Sequence, residues 1–273
     1  MGFVYALIAA GLSLIFGLME IVNFAHGEFL MLAMYVAFFA WTLGHVDPLW
    51  ATPVAALALA ALGWLTYHGI IRWVLAGPML AQIFATFGLA VFLRSAAQFA
   101  FGVDFRVIQN PLLGGRIEVG GVFFGLPQLA ASVAALAAFA ALYLFLARSE
   151  TGLALMATAQ DREAAALMGI DTQRMFALGW AVGSACVGVA GALLAMFFYV
   201  FPDVGGTFAL IAYVTVALGG FGNVAATLLA GVAVGLVETF AGLVIAPAFK
   251  YAVVFGLYLA VVLWRPQGLF GRF

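Results

Sequence analysis

Long uncharged stretches dominate the pattern of this chain. Residues Gly2–Met19, Pro48–Ile71, Val119–Ala147, Met175–Pro202 and Val204–Val237 contain no Asp, Glu, Lys or Arg. A helix needs about 20 apolar residues to cross a bilayer, so several of these runs hold one span and the longest nearly two. They lack the alternation of a membrane barrel strand, and helices satisfy their own backbone hydrogen bonds where no water is present. The pattern predicts helices near 2–19, 29–46, 49–68, 80–101, 127–147, 176–199, 207–220, 225–245 and 249–264. The 207–220 element is short enough to be re-entrant. Gly77-Pro78, Gly114-Gly115, Gly120-Gly121, Pro202, Gly205-Gly206 and Gly219-Gly220 punctuate the chain. The expected fold is all-α: a polytopic transmembrane helical bundle of about eight or nine spans, forming a single domain over residues 1–273.

Composition agrees with the pattern. The chain is 67% hydrophobic and 8% charged, with mean hydropathy +1.21; soluble domains carry about 25% charged residues. The net charge of −1 and the lack of a basic patch give no footing for nucleic acid. Cys186 is the single cysteine, so no intramolecular disulfide forms. No His, Cys or Asp cluster has metal-ligand spacing, and no arrangement of residues argues for a catalytic triad.

Charge concentrates in one place. Arg148, Glu150, Asp161, Arg162, Glu163, Asp171 and Arg174 fall within a single island, 148–174. If that island faces the cytoplasm, nine spans put Arg72, Arg148, Arg162, Arg174, Arg265 and Arg272 inside, and Arg106, Arg116 and Lys250 outside. That is the expected cation bias. The 102–126 segment then faces outward, and its alternating Arg116–Phe124 stretch suggests a small β-turn structure. Within the island, 157–171 suits a short amphipathic helix with Ala165, Met168 and Gly169 near one face. Such a helix either docks against another protein or is simply solvated; its exposed apolar edge favours docking.

A second constellation lies between the first two helices. Asn23, His26 and Glu28 are costly in hydrocarbon unless they pair or line a cavity, and Gly27 permits a backbone turn that other residues resist. They form either a hinge that shapes a transport path or an interfacial turn in which Asn23 caps the next helix. A faint internal repeat matches Gly27-x-Phe29-x3-Ala33 to Gly206-x-Phe208-x3-Ala212. Paired breaks in two halves point to a transport site between repeats, which makes Gly206 a further path candidate. Gly219-Gly220-Phe221-Gly222-Asn223 lacks the Lys-Ser or Lys-Thr of a phosphate loop. Packing or a turn explains it better, though Gly219 and Gly220 join the path candidates. Glu20 and Glu28 are expected near the inner edge. Glu238 and Lys250 either pair across adjacent helices or Lys250 snorkels to the interface, and Arg94 is expected to snorkel on its own helix.

Several of these motifs resemble a known family. Glu163-Ala164-Ala165-x3-Gly169 resembles the EAA loop of bacterial ABC importer permeases. Asn23-Phe24-Ala25-His26-Gly27-Glu28-Phe29, Ala217-Leu218-Gly219-Gly220-Phe221-Gly222-Asn223 and Trp264-Arg265-Pro266-Gln267-Gly268-Leu269-Phe270-Gly271 resemble the LivH-type permease of branched-chain amino acid ABC importers. The resemblance runs through nearly the whole chain; similar permeases usually carry extra residues before the first helix. It implies a multi-pass permease of the bacterial inner membrane that works by alternating access. Its implied partners are a second, LivM-like permease, two ATP-binding cassette subunits and a periplasmic solute-binding protein. No cofactor is implied in this chain, since ATP would be used by the partner subunits. Asp161, Arg162, Glu163, Ala164, Ala165 and Gly169 would form the ATPase-coupling segment. Urea and short-chain amide permeases share much of this pattern. A self-sufficient secondary transporter would instead use intramembrane acids such as Glu238 as ion sites, and an EAA-like loop has no role in it.

Overall fold

The computed structural model describes residues 1–109, 112–120 and 122–270; Gly121, Gly271 and Arg272 lie outside them. Among the described residues, eight helices are long and apolar enough to span a membrane. In chain order the elements are α1 (Gly2–Met19), α2 (His26–Gly44), α3 (Pro48–Thr66), α4 (Arg72–Val74) and α5 (Met79–Phe101). A β-hairpin follows, β1 (Arg116–Val119) with β2 (Val122–Gly125), antiparallel with Arg116 opposite Gly125. The rest are α6 (Leu126–Arg148), α7 (Glu150–Gln160), α8 (Arg162–Leu167), α9 (Thr172–Leu194), α10 (Val204–Gly219), α11 (Val224–Val244) and α12 (Lys250–Trp264). A π-helical stretch, Tyr67–Ile71, joins α3 to α4 within one continuous span, Pro48–Val74. The small β structure expected within 102–126 is present.

Two ends of the bundle can be told apart, one carrying the hairpin and the other the charged island. Following the helices puts Arg72, Arg148, Arg162, Arg174 and Arg265 at the island face and Arg106, Arg116 and Lys250 at the hairpin face. The sequence reading grouped them the same way.

The core is built from glycine crossings. α1 and α9 approach backbone to backbone where Gly11 meets Gly183; neither position has room for a Cβ. Without a hydrophobic effect between helices in lipid, such close approach is what holds spans together. α3 seats on α9 where Gly63 faces Trp180 and Ser184 and where Gly188 faces Ala55. α11 seats on α1 where Gly231 faces Ala6 and Gly235 faces Gly2. The same roles recur with the halves exchanged: α1, α2 and α3 in one unit correspond to α9, α10 and α11 in the other.

The two units run in opposite directions. α1 descends to the island face, and Glu20, in the left-handed region at φ 56°, ends it and reverses the chain. Residues 20–25 then double back along α1, because His26 at the start of α2 bonds Ile8, eleven residues before Met19. At 1.5 Å per residue that is about 16 Å of return. In the other half α9 rises to the hairpin face, residues 195–203 double back, and α10 starts beside Gly27. The faint sequence repeat therefore lands on the two helix starts that meet inside the bundle. The 207–220 element is a 16-residue helix that begins at residue 204, inside the bundle, and α2 begins three residues earlier than its periodicity suggested.

Candidate functional site

The first region is the meeting of α2 and α10. Gly27 packs on Gly205 and Ala209, and Gly205 packs back on Gly27 and the Glu28 carboxylate. His26 is fully buried and donates from Nε2 to the Ile8 carbonyl at 2.9 Å, which fixes its proton on that nitrogen. Asn23 is also buried. Its Oδ1 accepts from Ala25 N at 3.1 Å, an Asx turn that precedes the helix, and the N-cap itself is Ala25. Asn23 therefore turns the chain without capping α2. Tyr213 on α10 donates to the Asn23 carbonyl at 2.8 Å and lies 5.8 Å from the Phe24 ring, while Thr86 on α5 donates to Val22 O at 3.2 Å. The re-entrant segment is thus pinned from both sides.

Glu28 does not sit at the inner edge. It is 2% exposed, in the first turn of α2, and its Oε1 accepts from Arg94 Nη2 and, at 3.2 Å, from Arg94 Nε. The reason is geometric: the re-entrant turn carries the start of α2 deep into the bundle, where an unpaired carboxylate would be prohibitively desolvated. Arg94 accordingly does not snorkel alone. It bridges Glu28 and Asp203, whose Oδ1 lies 3.7 Å from Arg94 Nε.

Of the sequence-predicted path residues, Asn23, His26, Gly27, Glu28 and Gly206 come together here. Gly219 and Gly220 do not: Gly219 packs on Ala226 and Thr227, and Gly220 meets Gly268 of the C-terminal segment at the island face. Thirteen residues of helix, about 20 Å, separate Gly219 from Gly206. Arg94 and Asp203 belong to the cluster and were not named for it. The only signal was a lone Arg in an apolar helix and a lone Asp just after Pro202.

The second region is the island. α7 folds back on α6, where Gly152 lies against the Phe145 carbonyl and Leu155 is buried. Asp161 then breaks the helix and caps α8, its Oδ1 accepting from Glu163 N and Ala164 N at 2.9 Å each. The Arg162 guanidinium stacks 5.0 Å above the Phe176 ring, and Ala165 is buried. These contacts hold α8 against the bundle. Glu163, Ala164 and Gly169 face outward with Leu167 and Met168, which are 89% and 83% exposed. The expected face of Ala165, Met168 and Gly169 is corrected: the helix ends at Leu167, so Ala165 turns inward while Gly169, at φ 85°, reverses the chain. Leu167 was missed as part of the outward tip.

Between the α1 end, α6, α7 and the 221–225 turn lies an island-face cavity of about 660 Å³ lined by Phe16, Glu20, Tyr143, Gln160 and Asn223, among others. At the hairpin face, Glu238 on α11 accepts from Lys250 Nζ and from Tyr5 OH, both at 2.7 Å. Glu238 and Lys250 do pair across adjacent helices.

Comparison with known proteins places this architecture. Residues 1–262 match the family described as branched-chain amino acid transport system / permease component. The chain is 32% identical to the high-affinity branched-chain amino acid transport system permease protein BraD of Pseudomonas aeruginosa, over 99% of this chain and 92% of that one. It is 31% identical to the corresponding LivH protein of Escherichia coli K12, over 100% and 92%. A probable LivH of Methanocaldococcus jannaschii is 22% identical over 97% and 88%. No solved structure matches. The chain is a multi-pass membrane protein and belongs to the family of branched-chain amino acid transport system permease components.

Proposed function

We propose that this chain is the membrane permease subunit of an ATP-driven, binding-protein-dependent importer of branched-chain amino acids in a bacterial inner membrane. The observation that carries the reading is likeness over essentially the whole chain to BraD and LivH, which are permeases of high-affinity branched-chain amino acid transport systems. The partners are two ATP-binding cassette subunits, a second, LivM-like permease and a periplasmic binding protein that delivers the solute.

The geometry supports a docking surface for the cassette subunits. The α8 tip presents Leu167 and Met168 to water at the face with the larger share of cations, which the cation bias assigns to the cytoplasm. Large apolar side chains exposed beyond a span are a docking surface, and a cassette groove would cover them. Asp161 sets the start of this helix and Arg162 locks it to α9 through Phe176, so movement of the tip is transmitted to the bundle. The solute path runs by the α2–α10 meeting, where two discontinuous helices start inside the bundle. Glu238, the ion site that a self-sufficient carrier would use, is already satisfied by Lys250 and Tyr5.

The test is co-expression with the neighbouring genes, purification in detergent and reconstitution. Recovery of two P-loop ATPases and a second permease, with ATP-dependent leucine uptake, is expected. Recovery of the chain alone, with flux in liposomes lacking ATPases, would overturn the reading.

A further inference from the structure

One strip of the bundle surface is chemically wrong for lipid. Along α5 and α10 it exposes the Arg94 and Asp203 side chains, 39% and 58% respectively, flanked by Ser95 and Thr207. Arg94 lies seven residues before the end of α5, about 10 Å along the helix from the hairpin face. An exposed ion pair at that depth faces water or protein, since hydrocarbon would exact a large desolvation penalty.

The hydrogen-bonding capacity here is only partly used. Arg94 gives Nε and Nη2 to Glu28, leaving the rest of its five-donor fork free. Glu28 is buried, yet its Oε2 has no hydrogen-bond partner among the described residues, and it lies against Gly205 at the start of α10. Asp203 is the N-cap of α10, and its side chain caps nothing. Next to it, Gly206 has no side chain to fill the space over the guanidinium: a Cβ there would touch only Arg94 Nη2, at 3.9 Å. The strip therefore displays unused guanidinium donors beside a carboxylate held only by the 3.7 Å ion pair with Arg94, over a glycine floor. Leu210, Phe87 and Val91 continue it as an apolar surface.

We propose that Arg94, Asp203 and Gly206 form a contact site for the zwitterionic head group of an α-amino acid in the translocation path. Its carboxylate lies on the Arg94 guanidinium and its ammonium on the Asp203 carboxylate. The apolar side chain lies along Leu210 and Val91. This rests on the importer reading and adds to it the residues that meet the solute. The cluster sums to −1, one guanidinium against two carboxylates, so it rejects free carboxylates and retains ligands that also bring a cation.

The assembled transporter in liposomes tests this. Cys186 is buried and gives a silent background. Thr207→Cys is expected to react with a membrane-impermeant, charged methanethiosulfonate, and Leu259→Cys on the exposed side of α12 is not. Leucine should slow the Thr207→Cys reaction, while 4-methylpentanoate, which lacks the ammonium, should not. Asp203→Asn in the Thr207→Cys background should keep the labelling rate and lose the protection by leucine. No labelling of Thr207→Cys would mean that the strip is sealed by lipid or by the second permease, and labelling indifferent to leucine would mean a wet surface without a solute site. Either result overturns the proposal. Wild-type uptake is measured in parallel. If ATP-dependent leucine uptake is present without protection, this inference alone fails. If uptake is absent, the importer reading fails, and protection by leucine would still support the site.

Discussion

Replacing Gly27 by Ala tests whether the α2–α10 meeting depends on bare backbone contact. A Cβ at Gly27 would collide with the Gly205 carbonyl oxygen and lie 2.8 Å from both the Gly205 carbonyl carbon and Ala209 Cβ. These are backbone atoms or a Cβ fixed to it, so no side chain can swing aside and the helices must part. Overpacking of this kind costs about 1–3 kcal/mol. The substitution also gains roughly 1 kcal/mol of helix propensity, which would mask the effect if Gly27→Ala were measured alone. Gly88 supplies the control: it lies within α5, is exposed, and a Cβ there meets nothing within 4 Å. Gly88→Ala receives the same propensity gain without the collision, so the difference between the variants isolates the packing cost. At about 2–4 °C per kcal/mol, Gly27→Ala should melt roughly 2–12 °C below Gly88→Ala. The buried Cys186 thiol reports unfolding through a dye that fluoresces on reaction with it. Equal melting temperatures for the two variants would refute the glycine-crossing account of the bundle.

Three further outcomes follow from named contacts. Changing both Leu167 and Met168 to Ser should shift stability by no more than about 0.5 kcal/mol, as expected for exposed positions, while abolishing co-purification of the ATPases; retained co-purification and uptake would remove α8 from the docking role. Glu238→Leu strands the Lys250 ammonium and should cost on the order of 2 kcal/mol, most of it recovered by adding Lys250→Met; a double variant no more stable than the single would show that the pair is incidental. Asp161→Ala removes both capping bonds of α8 and should cost about 1 kcal/mol locally, read as faster amide exchange at Glu163 and Ala164 with exchange in α9 unchanged.

The spans were legible because apolar stretches as long as a bilayer crossing have one physical solution, and the eight long helices found among the described residues all lie on such stretches, α2, α5 and α12 despite the charges of Glu28, Arg94 and Lys250. The depth at which α2 and α10 start was not, although 207–220 read as short enough to be re-entrant: residues 20–25 read as an interfacial turn, and 195–199 read as a continuation of the 176–199 helix, which ends at Leu194. That depth is set by tertiary contacts, His26 to Ile8 and Gly27 to Gly205. The Gly-x-Phe-x3-Ala match was visible, but nothing in one dimension says that its two copies touch. In the island, the Ala-rich composition suggested one amphipathic helix. Asp161 splits it, and an Asp followed by Arg162-Glu163 is a capping signal that could have been read from the sequence.

Charge pairing shows the limit most clearly. Arg94, Glu28, Glu238 and Lys250 were each visible as an anomaly in an apolar chain, yet only the fold decides the partners. Lys250 is twelve residues from Glu238, across one turn between adjacent helices, and that pairing could be foreseen. Arg94 is 66 residues from Glu28, and the two meet only because the re-entrant turn lifts the start of α2 to the level of the middle of α5. The consequences differ in the same way. Glu238 has both carboxylate oxygens engaged, by Lys250 and Tyr5, so that pair ties α12 and α1 to α11 and leaves nothing for a ligand. Glu28 has one oxygen engaged and one without a hydrogen-bond partner among the described residues, beside an exposed Asp203 and a half-exposed Arg94. In the proposed site it is the exposed Asp203 and the remaining Arg94 donors, open to the bundle surface, that separate a cluster meeting a solute from one that only fastens helices.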